Sequence, residues 1–180
     1  MENVVPENSS VELTGETKTD GEGVVLYQVK AVKDLPMHDV KAGDIGGWVT
    51  SLVTPSGKTR VSGNAWVEGD AQIQDEATVE DEAFVGGRVF EGPRVVDSAT
   101  VRGKAKVLGS ALIGNEAIIE DEAHVGGSAL VGNTSRLSGR ASVGGSCEIL
   151  GDSHISDDVK IFGRVYILDG TISGKTSINL

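Results

Sequence analysis

From Val61 to the C-terminus an aliphatic side chain returns every sixth residue, and few folds tolerate that period. The positions are Val61, Val67, Ile73, Val79 and Val85, then Val89, Val95, Val101, Val107, Ile113, Ile119, Val125, Val131, Leu137, Val143, Ile149, Ile155, Ile161 and Ile167, then Ile172 and Ile178. A six-residue step matches neither the 3.6-residue period of a helix nor the two-residue period of a hairpin sheet. It matches a parallel β-helix, in which each flat side of a triangular coil takes one hexad. Small residues two places earlier, such as Ala99, Ala117 and Ala141, fit an inward slot beside a sharp corner. The series therefore predicts an all-β, single-stranded parallel β-helix. Its twenty-one aliphatic positions over three sides give about seven coils. The short steps from Val85 to Val89 and from Ile167 to Ile172 read as deletions, so the column is expected to carry no inserted loop.

Composition narrows the classes. The 25 glycines suit a fold with many tight corners. A net charge of -11 lacks the basic face of a general nucleic-acid binder or an anionic-membrane binder. No apolar run reaches transmembrane length. Residues 1–22 lack the basic start and apolar stretch of a secretion signal. The single Cys147 excludes an internal disulfide framework. Residues 1–23, rich in Glu, Ser, Thr and Gly, read as a disordered tail. Residues 24–60 hold a strand candidate, VVLYQVKAV, and a glycine-rich link. They read as a small N-terminal β cap over a solenoid of residues 61–180, because an open first coil exposes unpaired backbone.

Sorting hexads by step count places Val61, Val79, Val95, Ile113, Val131, Ile149 and Ile167 on one side. Gly63, Asp81, Asp97, Asn115, Asn133, Gly151 and Asp169 then form its corner. Such a ladder either tolerates left-handed backbone or holds a cation, and the first reading is preferred. Outside this side lie Val96, Leu112, Leu130, Leu150, Tyr166 and Leu168, an apolar strip that suggests a homo-oligomer interface or a docking surface. A second side carries Trp66, Phe84 and Ile118. The third carries Arg88, Lys106, His124 and Lys160, interleaved with Phe90, Leu108 and Phe162.

Catalytic signals are sparse. His124 and His154 face outward on different sides, about two coils apart. Glu80-Asp81-Glu82 and Glu120-Asp121-Glu122 read as solvated acidic surface. No Cys or His spacing suits zinc, and no metal or cofactor is expected. The strings Gly57-Lys58-Thr59 and Gly174-Lys175-Thr176 lack the upstream glycine of a phosphate loop. Cys147 occupies an inward small slot.

Tyr27-Gln28-Val29-Lys30-Ala31-Val32-Lys33-Asp34, followed by Val40-Lys41-Ala42-Gly43-Asp44-Ile45-Gly46-Gly47-Trp48-Val49, resembles the N-terminal signature of YdcK-type hexapeptide-repeat proteins. The resemblance spans Tyr27 to the C-terminus, and its core is Ala42, Gly43, Asp44, Gly46, Gly47 and Trp48. It implies a left-handed β-helix, the fold of the hexapeptide acyltransferases, in a protein of bacteria or their phages. A cytoplasmic or virion-associated location follows. The leading functional expectation is a non-enzymatic structural or interaction protein. The alternative is an acyl-CoA-dependent transferase using His124 or His154, with Arg88, Lys106 and Lys160 meeting the CoA phosphates. A further alternative is an acidic mimic of nucleic acid that occupies a basic protein.

Overall fold

The computed structural model describes residues 9–19, 23, 25–49, 60–61, 66–67, 72–73, 78–79, 81, 83–86 and 92–180. Apart from one 3-10 turn, Pro36–His38, every regular element among them is a β-strand. Most strands are two or three residues long and end on the periodic aliphatic residue. They stack in parallel on partners eighteen residues further along, as Thr100 does on Ile118, Lys106 on His124 and Leu112 on Leu130. Three stacked faces make a β-solenoid. The first face runs through Val49, Ile73, Val95, Ile113, Val131, Ile149 and Ile167. The second runs through Val61, Val79, Val101, Ile119, Leu137, Ile155 and Ile172. The third, through Val67, Val85, Val107, Val125, Val143, Ile161 and Ile178, is a seven-stranded sheet.

The inward aliphatic residues from Val95 to Ile161 are fully or almost fully buried, each contributing about 1.5–3 kcal/mol of apolar burial. The slot two residues earlier is buried as well. Alanine fills it at most levels, while Ser135, Cys147, Ser153 and Val159 replace it at others. The polar replacements are satisfied by backbone carbonyls. Ser153 Oγ donates to Leu150 at 2.6 Å, and Cys147 Sγ points at the Gly144 carbonyl at 2.9 Å.

The strand registers correct the hexad count at one place. Val85 stacks on Val107 and Ile73 on Val95, so Val85 and Val95 stand on consecutive faces, third and first. Ten residues separate them. The same step is six residues at Val107 to Ile113 and at Val125 to Val131. This segment is thus an insertion of four residues, where a deletion was expected. Val89 lies outside the described residues. An aliphatic residue at a chance spacing looks like a rung in the sequence, and only strand pairing tells the two apart. Everything before the insertion consequently shifts by one face. Val61 and Val79 belong with Val101 rather than Val95, and Trp66 and Phe84 join Lys106 and His124 on the third face. Ile118 stays on the second.

The N-terminal region also departs from expectation. Residues 11–19, read as part of a disordered tail, form strand β1 (Val11–Thr19). It pairs antiparallel with β2 (Val25–Ala31), which pairs antiparallel with β3 (Ile45–Val49). Because β3 lies parallel on Gln72–Ile73, the cap prolongs the first face rather than simply covering the coil end. An edge strand needs few apolar anchors once its backbone is paired. Here Val11 is fully buried and Leu13 packs on the core. Lys18 sets its ammonium 4.4 Å from the Trp48 ring centre.

The glycine-rich signature is explained by this cap. Asp44 accepts the Lys41 N–H at 2.8 Å, and Asp34 accepts the Ala42 N–H at 2.9 Å, fixing the turn before β3. Gly43 sits in that turn at φ 93°. A Cβ on Gly46 would lie 2.6 Å from the Val67 carbonyl oxygen and 2.9 Å from the Trp66 ring. Tyr27 pairs with Val49 and Gln28 with Trp48.

The corners resolve into three chemistries. The third corner is glycine at 109, 127, 145 and 163, all at positive φ. The second alternates Asp81, Gly103, Asp121, Gly139, Asp157 and Gly174, again all at positive φ. Each aspartate there accepts the N–H of the glycine one coil on, at 3.1, 2.9 and 2.8 Å in turn. On the first corner Asp97 accepts the Asn115 N–H at 2.8 Å, and Asn115 accepts that of Asn133 at 3.0 Å. These side chains act as backbone acceptors in a left-handed conformation that Asp and Asn tolerate. Asp121→Ala is expected to cost about 1–2 kcal/mol, from the lost acceptor and the added backbone strain, whereas Asp121→Asn stays within about 0.5 kcal/mol. Urea unfolding of the two variants checks the difference.

Candidate functional site

One member of the second acidic triplet departs from the solvated surface that was expected. Glu120 is buried, with its side chain 8% exposed, between two half-exposed arginines of the second face. Arg102 donates to one carboxylate oxygen through Nε at 3.0 Å and Nη2 at 2.6 Å, and Arg136 pairs with the other. Asp81 and Asp121 are the corner acceptors already described. Asp81, Asp121 and Glu122 are exposed, while Glu80 and Glu82 lie outside the described residues. No group of three or more His, Cys, Asp or Glu among the described residues could hold a metal ion.

The residues of the apolar strip lie on the first face, with Glu148 between Leu130 and Tyr166. Leu112 stacks on Leu130, and Leu150 on Leu168, in two adjacent outward columns. Glycines 114 and 132 between them are roofed by their neighbours. A Cβ on Gly132 would meet Leu150 Cδ2 at 3.1 Å, and one on Gly114 would meet a Val96 methyl at 3.3 Å. Val96, Leu112, Leu130 and Leu150 are therefore half-buried, making a low ridge. Tyr166 and Leu168, 60% and 55% exposed, continue it into solvent.

The third face carries a different site. Lys106, His124, Ser142 and Lys160 stand on successive strands in one outward column. Beside them runs a second column of Leu108, Gly126, Gly144 and Phe162. Two glycines between a leucine and a phenylalanine leave a gap, and an open groove of about 410 Å³ occupies it. Leu108, His124, Gly126, Ser142, Gly144 and Phe162 are among its lining residues. The Phe162 ring leans over Gly144, where a Cβ would meet it at 2.8 Å, while the Gly126 position is open to 4 Å. Lys106 and Lys160 are exposed and form no ion pair among the described residues.

The sequence-derived residues are only partly brought together. His124, Lys106 and Lys160 share the column. His154 stands on the second face beside Arg136, with Nδ1 3.8 Å from Asp152. Arg88 lies outside the described residues. The groove is not legible as a set of chemical groups, because two glycines of the outward column form its floor. The order Leu, Gly, Gly, Phe at eighteen-residue intervals was the available signal. Comparison with protein-family models and with curated proteins finds no match. Among the described residues, no helix is long and apolar enough to cross a membrane.

Proposed function

We propose that this chain is a non-enzymatic interaction protein whose solenoid docks through the first-face strip. Its partner would be a second copy of the chain or a larger, phage-derived assembly. The observation that carries this reading is the diagonal run of apolar side chains from Leu112 and Leu130 across to Leu150 and Leu168, with Tyr166 beyond Glu148; Tyr166 and Leu168 are more than half exposed. Kinship with the YdcK-type hexapeptide-repeat proteins, and with it a left-handed column of about seven coils, belongs to the same proposal. It is supported by the signature residues that build the cap.

Sedimentation of the full chain should show concentration-dependent assembly. The double change Leu130→Asp and Leu168→Asp should leave a folded monomer, since both side chains point outward. A chain that sediments as a monomer up to millimolar concentration, with the double variant indistinguishable from it, sinks the self-association form of the proposal. Acyl-CoA-dependent transfer at His124 is the second reading, favoured by the lysines in its column. Calorimetric binding of coenzyme A, lost in Lys106→Ala, would move it ahead.

A further inference from the structure

We infer that the third-face groove is a binding site for a flat aromatic acid, with the ring system over Gly126 and the carboxylate held from the His124 column. The site is independent of the docking strip, which lies on another face. Failure of either proposal leaves the other standing.

Shape argues first. In the matching outward column of the first face, the glycine gaps are closed by neighbouring side chains, as Leu150 closes Gly132 and a Val96 methyl approaches Gly114. Over Gly126 nothing approaches within 4 Å of the place a Cβ would take. The floor there is flat backbone, bounded by Leu108 on one side and by the Phe162 ring, seated on Gly144, on the other. A volume of about 410 Å³ is at the small end of the range for ligand pockets and suits a two-ring body. A planar ring lies against peptide planes and a phenyl edge better than a branched aliphatic chain does.

Charge argues second. The protein carries a net charge of -11, yet this column presents two ammonium groups and an imidazole with no carboxylate in the strand positions between them. At about 4.8 Å per strand, Lys106 and Lys160 stand roughly 14 Å apart, one toward each end of the groove. His124 and Ser142 lie between them with hydrogen-bonding groups facing the gap. An apolar floor with a cationic flank selects an apolar body bearing one negative group. A neutral ring compound would lose the flank, and an inorganic anion would lose the floor.

The test uses the full chain and 2-naphthoate, with 2-naphthylmethanol and inorganic phosphate as comparison ligands. Calorimetry should show saturable one-to-one binding of 2-naphthoate, at least tenfold tighter than of either comparison ligand. Gly126→Leu fills the gap without forcing backbone, because the position has open space. It should abolish binding while the melting temperature holds. The double change Lys106→Gln and Lys160→Gln should weaken binding at least tenfold and reduce the preference for the acid. Should Gly126→Leu fail to fold, the imidazole proton signals of the unaltered protein decide. During titration those of His124 must move, with His38 and His154 unaffected. Absence of binding, binding indifferent to Gly126→Leu, or equal shifts at all three histidines would overturn the assignment.

Discussion

Gly127→Ala is expected to lower the stability of the solenoid by about 3 kcal/mol or more, while Gly126→Ala next to it raises stability by about 0.5 kcal/mol. The two residues have the same composition and nearly the same place, and they differ only in geometry. Gly127 turns the third corner at φ 66°, and a Cβ there would lie 2.5 Å from the Gly145 carbonyl oxygen and 2.7 Å from its nitrogen. Both atoms are backbone of the next coil, so no side chain can swing away. Relief requires prising apart coils held by bonds such as Ser128 N–H to the Gly145 carbonyl at 2.7 Å. Gly126 meets nothing within 4 Å, so alanine there only restricts the unfolded chain. Urea midpoints of the two variants give the comparison. Because each coil touches only its neighbours, hydrogen exchange in Gly127→Ala should rise first between residues 106 and 145. Equal midpoints for the two variants would show that the corner is not held by backbone contact.

The same contrast explains what the sequence could disclose. A period of six residues specifies inward packing, because each interior position meets its own kind one coil above and below. Val95 to Ile161 were legible on that ground. The corners were legible as glycine, Asp and Asn, but their pairing was not. Asp81 joins the alternation of Gly103, Asp121, Gly139, Asp157 and Gly174 only once the four extra residues between Val85 and Val95 are assigned to an insertion. Periodicity counts residues, whereas hydrogen bonding decides which count belongs to which face. Glu120 shows a second limit. It stands in an acidic triplet and looks solvated, and the arginines that neutralise it lie eighteen residues before and sixteen after it. The apolar strip could be read because all its members follow the insertion. The groove is defined by missing side chains, which a search for chemical groups does not register.

The strongest consequence of the corrected register concerns Trp66. Placed by hexad count on an outer face, it should be a surface indole whose removal costs little. The structure stacks it on Phe84 in the outward column of the third face and leaves it 2% exposed. The cap covers it, with Gly46 against its ring and His38 packed 5.6 Å from the Phe84 ring centre. An outward aromatic pair thus becomes the floor on which the N-terminal strands rest. Trp66→Ala is accordingly expected to cost about 3–5 kcal/mol, the range for removing a buried aromatic side chain. The loss should fall on the cap first, since the later coils make no contact with this ring and depend on their own neighbours. In a Trp48→Phe background, Trp66 alone reports, and its emission should be blue-shifted and shielded from iodide. Trp66→Ala should then expose β1 and β2 to limited proteolysis while the strands beyond Val107 keep their protection. An indole quenched as freely as a surface tryptophan, with an alanine variant of unchanged protease resistance, would show that the cap does not cover this ring.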